Sequence, residues 1–354
     1  TPKPSSAASD VYKRQQHTTW TADRSEFLGH LGSPGAPAAL LGLGRLSGRV
    51  GPGFDPCSAL QSDTIRLEPG ESVEIMGLLG QATSIAEAQA LIMRYRTADL
   101  DAVLDDVAAH WRDVLGAVQV RTPDRAMDIM LNDWLLYQTI VCRLWARSAF
   151  YQASGAYGFR DQLQDGMALS LAMPEATRAH ILRAAGRQFI EGDVQHWWLP
   201  PSGIGVRTHI SDDRVWLAYA TADYIGSSGD MAILDEPVRY LDGPPLKAGE
   251  TDAFFQPMAS DTHETLFAHC ARALDQSLAL TSARGLPLIG TGDWNDGFNR
   301  LGAEGRGESV WLGWLLIRTL VQFSALAENR PDPQSQACAC LLYTSDAADE
   351  GLGV

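Results

Sequence analysis

Apolar residues follow a helical period over most of this 354-residue chain. After Gly80 they recur three and four positions apart, with charged residues between them, which is the spacing of one helix face. We expect helices over residues 85–95, 100–111, 123–138, 163–173, 175–188, 213–227, 231–240, 264–282 and 309–327. Strands and helices do not alternate in this pattern, so it favours a mainly α fold, a barrel or bundle, over a parallel sheet.

The residues before Gly80 follow a different pattern. Glycine and proline are frequent there, and two short β-prone runs, 62–67 and 72–76, flank a Glu-Pro-Gly turn. We interpret residues 16–82 as the end of an antiparallel β domain, 83–121 as linker helices and 122–339 as the main helical domain.

Both ends of the chain carry a nucleotide signature. The segment Ser9-Asp-Val-Tyr-Lys-Arg-Gln15 back-translates to a DNA string whose reverse complement, read one base on, encodes Cys340-Leu-Leu-Tyr-Thr-Ser-Asp346. Unrelated ends of a protein do not encode each other's reverse complement, and the string is similar to a transposase-based sequencing adapter. We expect residues 1–15 and 340–354 to be adapter-derived segments that pack little against the core, and the chain between them to be a fragment.

The composition excludes one class of partner. The net charge is -15 at pH 7 and the pI is near 4.9, with no Lys/Arg stripe to displace counterions from phosphates, so nucleic acid is not expected to bind.

Five scattered cysteines, with Cys338-Ala-Cys340 the only close pair, indicate reduced thiols on the cytoplasmic side and no metal site. No apolar run approaches the ~20 residues that span a bilayer.

One glycine-rich stretch, residues 285–299 (GLPLIGTGDWNDGFN), has the composition of a functional loop. It brings Asp293, Trp294 and Asp296 within one turn. Glycines let a ligand approach the backbone, an indole offers a flat face to a sugar ring, and of two carboxyls one can be protonated while the other is ionised. The alternative is a loop between helices in which Asp293 is a cap and Trp294 is core.

Two further loops, 157–161 and 196–213, combine aromatic rings with short carboxylates and guanidinium groups. Their candidate ligand-binding residues are Arg160, Asp161, His196, Trp197, Trp198, Arg207, Asp212 and Asp213. Aromatic faces suit the C–H face of a pyranose, and the polar groups suit its paired hydroxyls. Each group also has an ordinary structural reading, as a local ion pair, a helix cap or a buried histidine. Their joint occurrence favours a sugar site in the loops of a helical scaffold.

Several long sequence blocks occur in a fixed order along the chain. They include Gly158-Phe-Arg-Asp-Gln-Leu-Gln-Asp165, Glu191-Gly-Asp-Val-Gln-His-Trp-Trp198, Ile210-Ser-Asp-Asp213, Gly292-Asp-Trp-Asn-Asp-Gly297 and Gly307-Glu-Ser-Val-Trp-Leu-Gly313. From about residue 20 to residue 330 they resemble glycoside hydrolase family 94, and within it the phosphorylase-like C-terminal region of the cyclic β-1,2-glucan synthases. The resemblance implies the tail of a β-sandwich, linker helices and an incomplete (α/α)6 barrel that holds the site.

The resemblance also implies a reaction. Members of that family cleave a terminal β-glucosidic bond with inorganic phosphate and invert the anomeric centre, giving α-glucose 1-phosphate. The general acid falls on Asp296, with Asp293 as the reserve candidate. The substrate-binding set is Arg160, Asp161, His196, Trp197, Arg207, Asp213, Asp293 and Trp294. An inverting displacement by phosphate needs one acid but no base-activated water, which agrees with a single indispensable carboxyl.

The resemblance implies further partners and limits. β-1,2-Glucan or its oligosaccharides and phosphate are the expected substrates, no cofactor is expected, and the parent protein is expected at the bacterial inner membrane. Leu199, His209 and Ala268 depart from the family pattern of His, Arg and Glu, and the phosphate-binding residues of the family lie in later helices. The activity is therefore expected of the intact parent. An inverting hydrolase and a non-catalytic glucan-binding module stay open as alternatives.

Overall fold

A computed structural model describes residues 19–145, 155–247 and 249–330, apart from residues 43, 52, 54 and 74. The predictions for the adapter-like ends, 1–15 and 340–354, therefore lie outside the described residues. The chain divides into two compact units, Thr1–Val107 and Ala108–Val354.

The first unit contains a two-stranded antiparallel sheet and short helices. Strand β1 (Thr19–Asp23) pairs with β2 (Pro56–Gln61), and helices α1 (Arg24–Leu28) and α2 (Ala38–Leu41) lie between them in the chain. Asp23 ends β1 and caps α1, since its carboxylate accepts the Ser25 N–H at 2.9 Å. The strands predicted over 62–67 and 72–76 are absent from the described residues there, where exposed apolar side chains alternate without a partner strand.

The predicted linker helices are present. Helix α3 covers Ile85–Arg96 and begins at Ser84, whose hydroxyl accepts the Glu87 N–H at 3.2 Å. Helix α4 covers Leu100–Leu115. Both helices start within a residue of the predicted positions because a polar cap stands directly before the apolar period.

The second unit is rich in helix. Helix α5 begins at Arg125–Ile129 and continues through Met130–Trp134, Leu135–Gln138 and Thr139–Trp145, two of these segments being π turns. The later elements are β3 (Tyr157–Gly158), α6 (Phe159–Met167), α7 (Pro174–Ala185), β4 (Gln195–Leu199), β5 (Ile204–Thr208), α8 (Asp213–Ser228), β6 (Pro237–Asp242), β7 (Asp252–Phe255), β8 (Met258–Thr265), α9 (Leu266–Ala279) and α10 (Val310–Glu328).

Helix α8 is the centre of the hydrophobic core of this unit. It packs against α6, α7, α9 and α10. Val215, Leu217 and Ala218 point to different sides of the helix and have no exposed surface, and Tyr224 is also buried. A helix that is apolar on all sides is buried by its neighbours, and α8 carries its charged side chains mainly in its first turn. The core therefore fixes the position of that first turn.

Two antiparallel sheets replace parts of the predicted loops. One has the order β3-β4-β5-β7, and the other pairs β6 with β8. The sequence analysis was wrong to read 196–203 and 204–208 as loop and 231–240 as one helix, because only Met231–Asp235 is helical there, as a 3-10 turn. In β4 the rings of Trp197 and Trp198 point to opposite sides of the sheet, and Trp198 is the buried one. A two-sided strand of this kind lacks a simple polar–apolar alternation.

Within the described residues, one helix is long and apolar enough by length and composition to cross a membrane. This helix is α10, Val310–Glu328, and it corrects the prediction that no apolar run approaches that length. One face of α10 packs in the protein core through Leu312, Leu316, Leu320 and Phe323. A core helix can meet the same criteria of length and composition, and the packing of α10 is typical of a core helix.

Replacement of Leu217 by alanine tests the central position of α8. The side chain is fully buried, so Leu217→Ala is expected to lower the free energy of unfolding by about 2–5 kcal/mol in urea denaturation. Leu171→Ala is the matched control, because Leu171 is 70% exposed and its loss should cost no more than ~0.5 kcal/mol. Equal effects of the two substitutions would contradict this description of the core.

Candidate active site

A polar pocket of about 180 Å³ lies where the first turn of α6, strand β4 and the glycine-rich loop meet. Its lining residues are Gly158, Phe159, Arg160, Asp161, His196, Trp197 and Asp296. The pairing of β3 with β4 sets Gly158 opposite Trp197, which brings α6 to the pocket. Five of the candidate residues thus converge from segments far apart in the sequence.

Gly158 leaves room for the carboxylate of Asp161. A Cβ at this position would lie 2.6 Å from Oδ2 of Asp161, so a larger residue would displace that carboxylate. Phe159 is completely buried and anchors the start of the helix. The next two residues, Arg160 and Asp161, are consequently directed to the pocket from the first helical turn.

Arg160 is a buried guanidinium that joins three segments. Its Nη1 donates to Oδ1 of Asp212 at 3.1 Å and to the carbonyl oxygen of Asp293 at 2.7 Å. Its Nη2 donates to Oδ1 of Asp296 at 2.5 Å, and its Nε lies 3.9 Å from Oδ1 of Asp161. Burial opposes the charge, but the carboxylates of Asp212, Asp213 and Asp296 together raise the pKa of Arg160. Arg160 is therefore a permanent cation of the pocket.

Two adjacent aspartates at the start of α8 hold two different cations. Asp212 accepts hydrogen bonds from Arg160 and, at 3.0 Å, from Nε1 of Trp216. Asp213 accepts from Nδ1 of His196 at 2.8 Å. Burial and the neighbouring Asp213 carboxylate raise the pKa of Asp212, and the Arg160 guanidinium counteracts that rise.

His196 lies between two carboxylates. Its Nδ1 is bonded to Asp213, and its Nε2 lies 3.9 Å from Oδ1 of Asp296. Burial by itself lowers the pKa of the imidazole, but Asp213 and, to a smaller extent, Asp296 outweigh burial and raise the pKa above its ordinary value. His196 thus faces the pocket with a pKa above that of an ordinary imidazole.

The glycine-rich loop packs on residues 209–211, the segment between β5 and α8. The backbone N–H of Thr291 donates to the His209 carbonyl at 3.1 Å, and that of Ser211 donates to the Gly292 carbonyl at 2.9 Å. Gly290 has φ of 61°, and a Cβ there would lie 2.0 Å from the His209 oxygen, so this close approach requires glycine. These backbone contacts fix the position of the loop relative to the start of α8.

The two carboxylates of this loop have different surroundings. Asp293 is buried, and its oxygens accept from the Asn295 N–H at 2.9 Å and the Ser309 hydroxyl at 2.7 Å. The side chain of Asp296 is 55% exposed and lines the pocket. Trp294 is 56% exposed, and its ring lies 6.5 Å from that of Trp311. Asp296 therefore lies in the same pocket as Arg160 and in contact with it, while the role of each residue stays a prediction.

Arg207 lies outside this pocket. Its Nε and Nη2 donate to Asp193 at 2.6 Å, its Nη2 also donates to Glu191, and its Nη1 donates to the carbonyls of Gly243 and Pro244. Its guanidinium also lies 3.9 Å from the centre of the Phe189 ring. Arg207 braces β5 against its neighbours. Its role in substrate binding stays a prediction.

Comparison with known proteins identifies the chain. The model of the glycosyl hydrolase 94 superfamily catalytic domain matches residues 110–342, about two thirds of the chain, and that of the glycosyl hydrolase 94 supersandwich domain matches residues 2–98. The chain belongs to the glycosyl hydrolase 94 superfamily. The family resemblance that the sequence blocks predicted is therefore confirmed.

Curated relatives include a synthase and several phosphorylases. The cyclic beta-(1,2)-glucan synthase NdvB of Rhizobium meliloti (strain 1021) is 49% identical over 313 residues, which is 88% of this chain and 11% of NdvB. The N,N'-diacetylchitobiose phosphorylase of Vibrio furnissii is 27% identical over 89% of this chain and 40% of its own length. The solabiose phosphorylase of Paenibacillus borealis is 29% identical over 88% and 37%. This glycosyl hydrolase 94 chain thus spans less than half of each relative.

Ser309 is a site residue that the sequence analysis missed. Its hydroxyl donates to Asp293 and accepts the Leu312 N–H at 3.0 Å, so it caps α10 and holds the acidic loop at once. The sequence signal was a serine directly before the apolar run of α10, a typical N-cap position. Its bond to Asp293 could not be read from that signal, because it depends on the fold of the loop.

Ser309→Ala tests this double role. The variant loses the cap and leaves a buried carboxylate oxygen of Asp293 without its donor, so the free energy of unfolding is expected to fall by about 2–4 kcal/mol. Thr265→Ala is the control, because Thr265 caps α9 through the Ala268 N–H alone and its loss should cost about 1 kcal/mol. A loss for Ser309→Ala no larger than the control's would show that the Asp293 contact adds nothing.

Proposed function

We propose that the intact protein containing this chain is an inverting phosphorylase of β-1,2-glucan. The observation that carries the proposal is the position of Asp296, a carboxyl that faces a pocket of sugar-binding character built by family-specific segments. The 49% identity to a cyclic beta-(1,2)-glucan synthase supports the glucan, and the phosphorylases among the relatives support phosphate as co-substrate. The (α/α)6 barrel and the inner-membrane location of the parent are part of the same proposal.

Each pocket residue has its own role in this reaction. Asp296 protonates the glycosidic oxygen as the bond to the anomeric carbon breaks, and phosphate attacks that carbon from the opposite face, which inverts its configuration. Arg160 and Asp161 bind hydroxyls of the terminal glucose through a fork of N–H donors and a carboxylate. Trp197 packs against the ring. Phosphate is already an anion, so no second carboxylate has to activate it.

The geometry favours Asp296 over Asp293 as the acid. Both oxygens of Asp293 accept hydrogen bonds from Asn295 and Ser309 inside the protein, away from the pocket. Asp296 has its Oδ1 on Arg160, and no described residue bonds to its Oδ2. Of the two aspartates, Asp296 is therefore the one that can contact a glycosidic oxygen without a rearrangement of the loop.

The reaction is tested by its dependence on phosphate. The full-length protein, incubated with linear β-1,2-glucooligosaccharides, should release α-glucose 1-phosphate when phosphate is present and no sugar when it is absent. Free glucose formed at the same rate without phosphate would establish a hydrolase in its place. Binding of the oligosaccharide with no product under either condition would establish a glucan-binding module.

The assignment of the acid is tested by leaving-group dependence. Asp296→Asn keeps the shape of the side chain but removes the proton, so phosphorolysis of the oligosaccharide should fall by roughly 10²–10⁴-fold. An aryl β-glucoside with a good leaving group needs little protonation and should lose much less. Asp293→Asn is the matched control; if it shows this pattern and Asp296→Asn does not, the roles of the two carboxyls are reversed.

A further inference from the structure

The carboxylate of Asp296 has two basic neighbours in the pocket, Arg160 and His196. Its Oδ1 accepts from Arg160 at 2.5 Å and lies 3.9 Å from Nε2 of His196. A general acid must carry a proton when the glycosidic bond breaks. A neighbouring side chain that titrates near neutral pH can supply that proton.

His196 has the geometry of such a neighbour. The ring lies between two carboxylates, with Nδ1 bonded to Asp213 at 2.8 Å and Nε2 3.9 Å from Oδ1 of Asp296. The Asp296 side chain is 55% exposed, and a small shift of it brings this pair within hydrogen-bond distance. Asp213 is nearly completely buried, and its Oδ1 has no partner among the described residues, so His196 is the one described side chain that donates to this carboxylate. These carboxylates raise the pKa of the imidazole even though burial lowers it.

The charged groups near the His196 imidazole, including Asp213 and Asp296, come from three elements. Helix α6 contributes Arg160 and Asp161, the start of α8 contributes Asp212 and Asp213, and the glycine-rich loop contributes Asp296. Arg160 opposes the imidazolium charge. It is no proton source itself, because its carboxylate partners outweigh burial and raise its pKa further.

The geometry points to His196 as the source of the proton that Asp296 delivers, an inference that rests on the proposed phosphorolysis. The Nε2–H bond of the imidazolium breaks as an O–H bond forms on Asp296, and this proton then passes to the glycosidic oxygen as its bond to the anomeric carbon breaks. Asp213 keeps its bond to Nδ1–H throughout. Solvent reprotonates Nε2 after the products leave. His196 touches no sugar atom in this scheme, so it is a positioning residue that acts through Asp296.

The protonation of His196 is measured by NMR on this chain. Histidine labelled at Cε1 gives one signal per residue, and His196→Asn assigns the signal, since asparagine can keep the bond to Asp213 without titrating. We expect the signal of His196 to titrate above the ordinary value of about 6.5, and its midpoint to fall by about one pH unit or more in Asp213→Asn, which removes the stabilising anion. A midpoint that does not move in Asp213→Asn overturns the proposal.

The relay is measured by phosphorolysis in the full-length protein. His196→Asn should lose roughly 10²-fold or more with a β-1,2-glucooligosaccharide but less than about tenfold with an aryl β-glucoside that has a good leaving group. The alkaline limb of kcat/KM should move to lower pH in Asp213→Asn, because the imidazolium loses its proton earlier. Asp235→Asn, which breaks an ion pair with Arg330 outside the pocket, is the control and should leave the limb in place. Phosphate titrates equally in all variants.

The outcomes separate the inference from the reaction on which it rests. Equal losses of His196→Asn with both substrates, or a limb that stays in place in Asp213→Asn, would show that His196 is only structural. Absence of phosphate-dependent product from the unaltered protein would overturn the proposed function. In that case the NMR titration still decides whether the Asp213–His196 pair holds a proton beside Asp296.

Discussion

The guanidinium of Arg160 is the group on which the geometry of this pocket depends. It stands on the first turn of α6 and reaches Asp212, the backbone of Asp293 and the carboxylate of Asp296, residues 52 to 136 positions away in the chain. A buried cation is tolerated only when it is paired and hydrogen-bonded, so each of these acceptors must remain in place. The helix, the start of α8 and the acidic loop are consequently fixed relative to one another by one side chain.

The start of α8 divides its two carboxylates between two partners. Consecutive residues near a helix start point in directions about 100° apart, so Asp212 faces Arg160 while Asp213 faces His196. The helix N-terminus favours negative charge, which helps to hold two buried carboxylates next to each other. Their partners then converge again on one oxygen, Oδ1 of Asp296. Two adjacent residues thereby control the charge around a third residue that is more than eighty positions away.

Local sequence signals located several helices but not the sheet that joins the pocket segments. The cap at Ser84 and the apolar period of α8 are short-range features, and these two helices lie close to the predicted positions. Helix α6, in contrast, covers Phe159–Met167 where a helix over 163–173 and a loop over 157–161 were predicted. Strands β4 and β5 escaped detection because the burial of each strand depends on its neighbours, and Trp197 and Trp198 look alike in sequence although the sheet directs them to opposite sides. Conversely, the alternation at 62–67 predicted a strand for which no described partner exists.

The two aspartates of the glycine-rich loop show why sequence alone left their roles open. Asp293 and Asp296 stand three residues apart in the same turn, and local composition favours neither of them. Ser309, sixteen residues further on, distinguishes them, because it caps α10 and withdraws the Asp293 carboxylate into the protein. Asp293 then offers its carbonyl oxygen to Arg160, which leaves the other arm of the guanidinium for Asp296. Which of the two carboxylates faces the pocket is thus decided by a helix cap outside it.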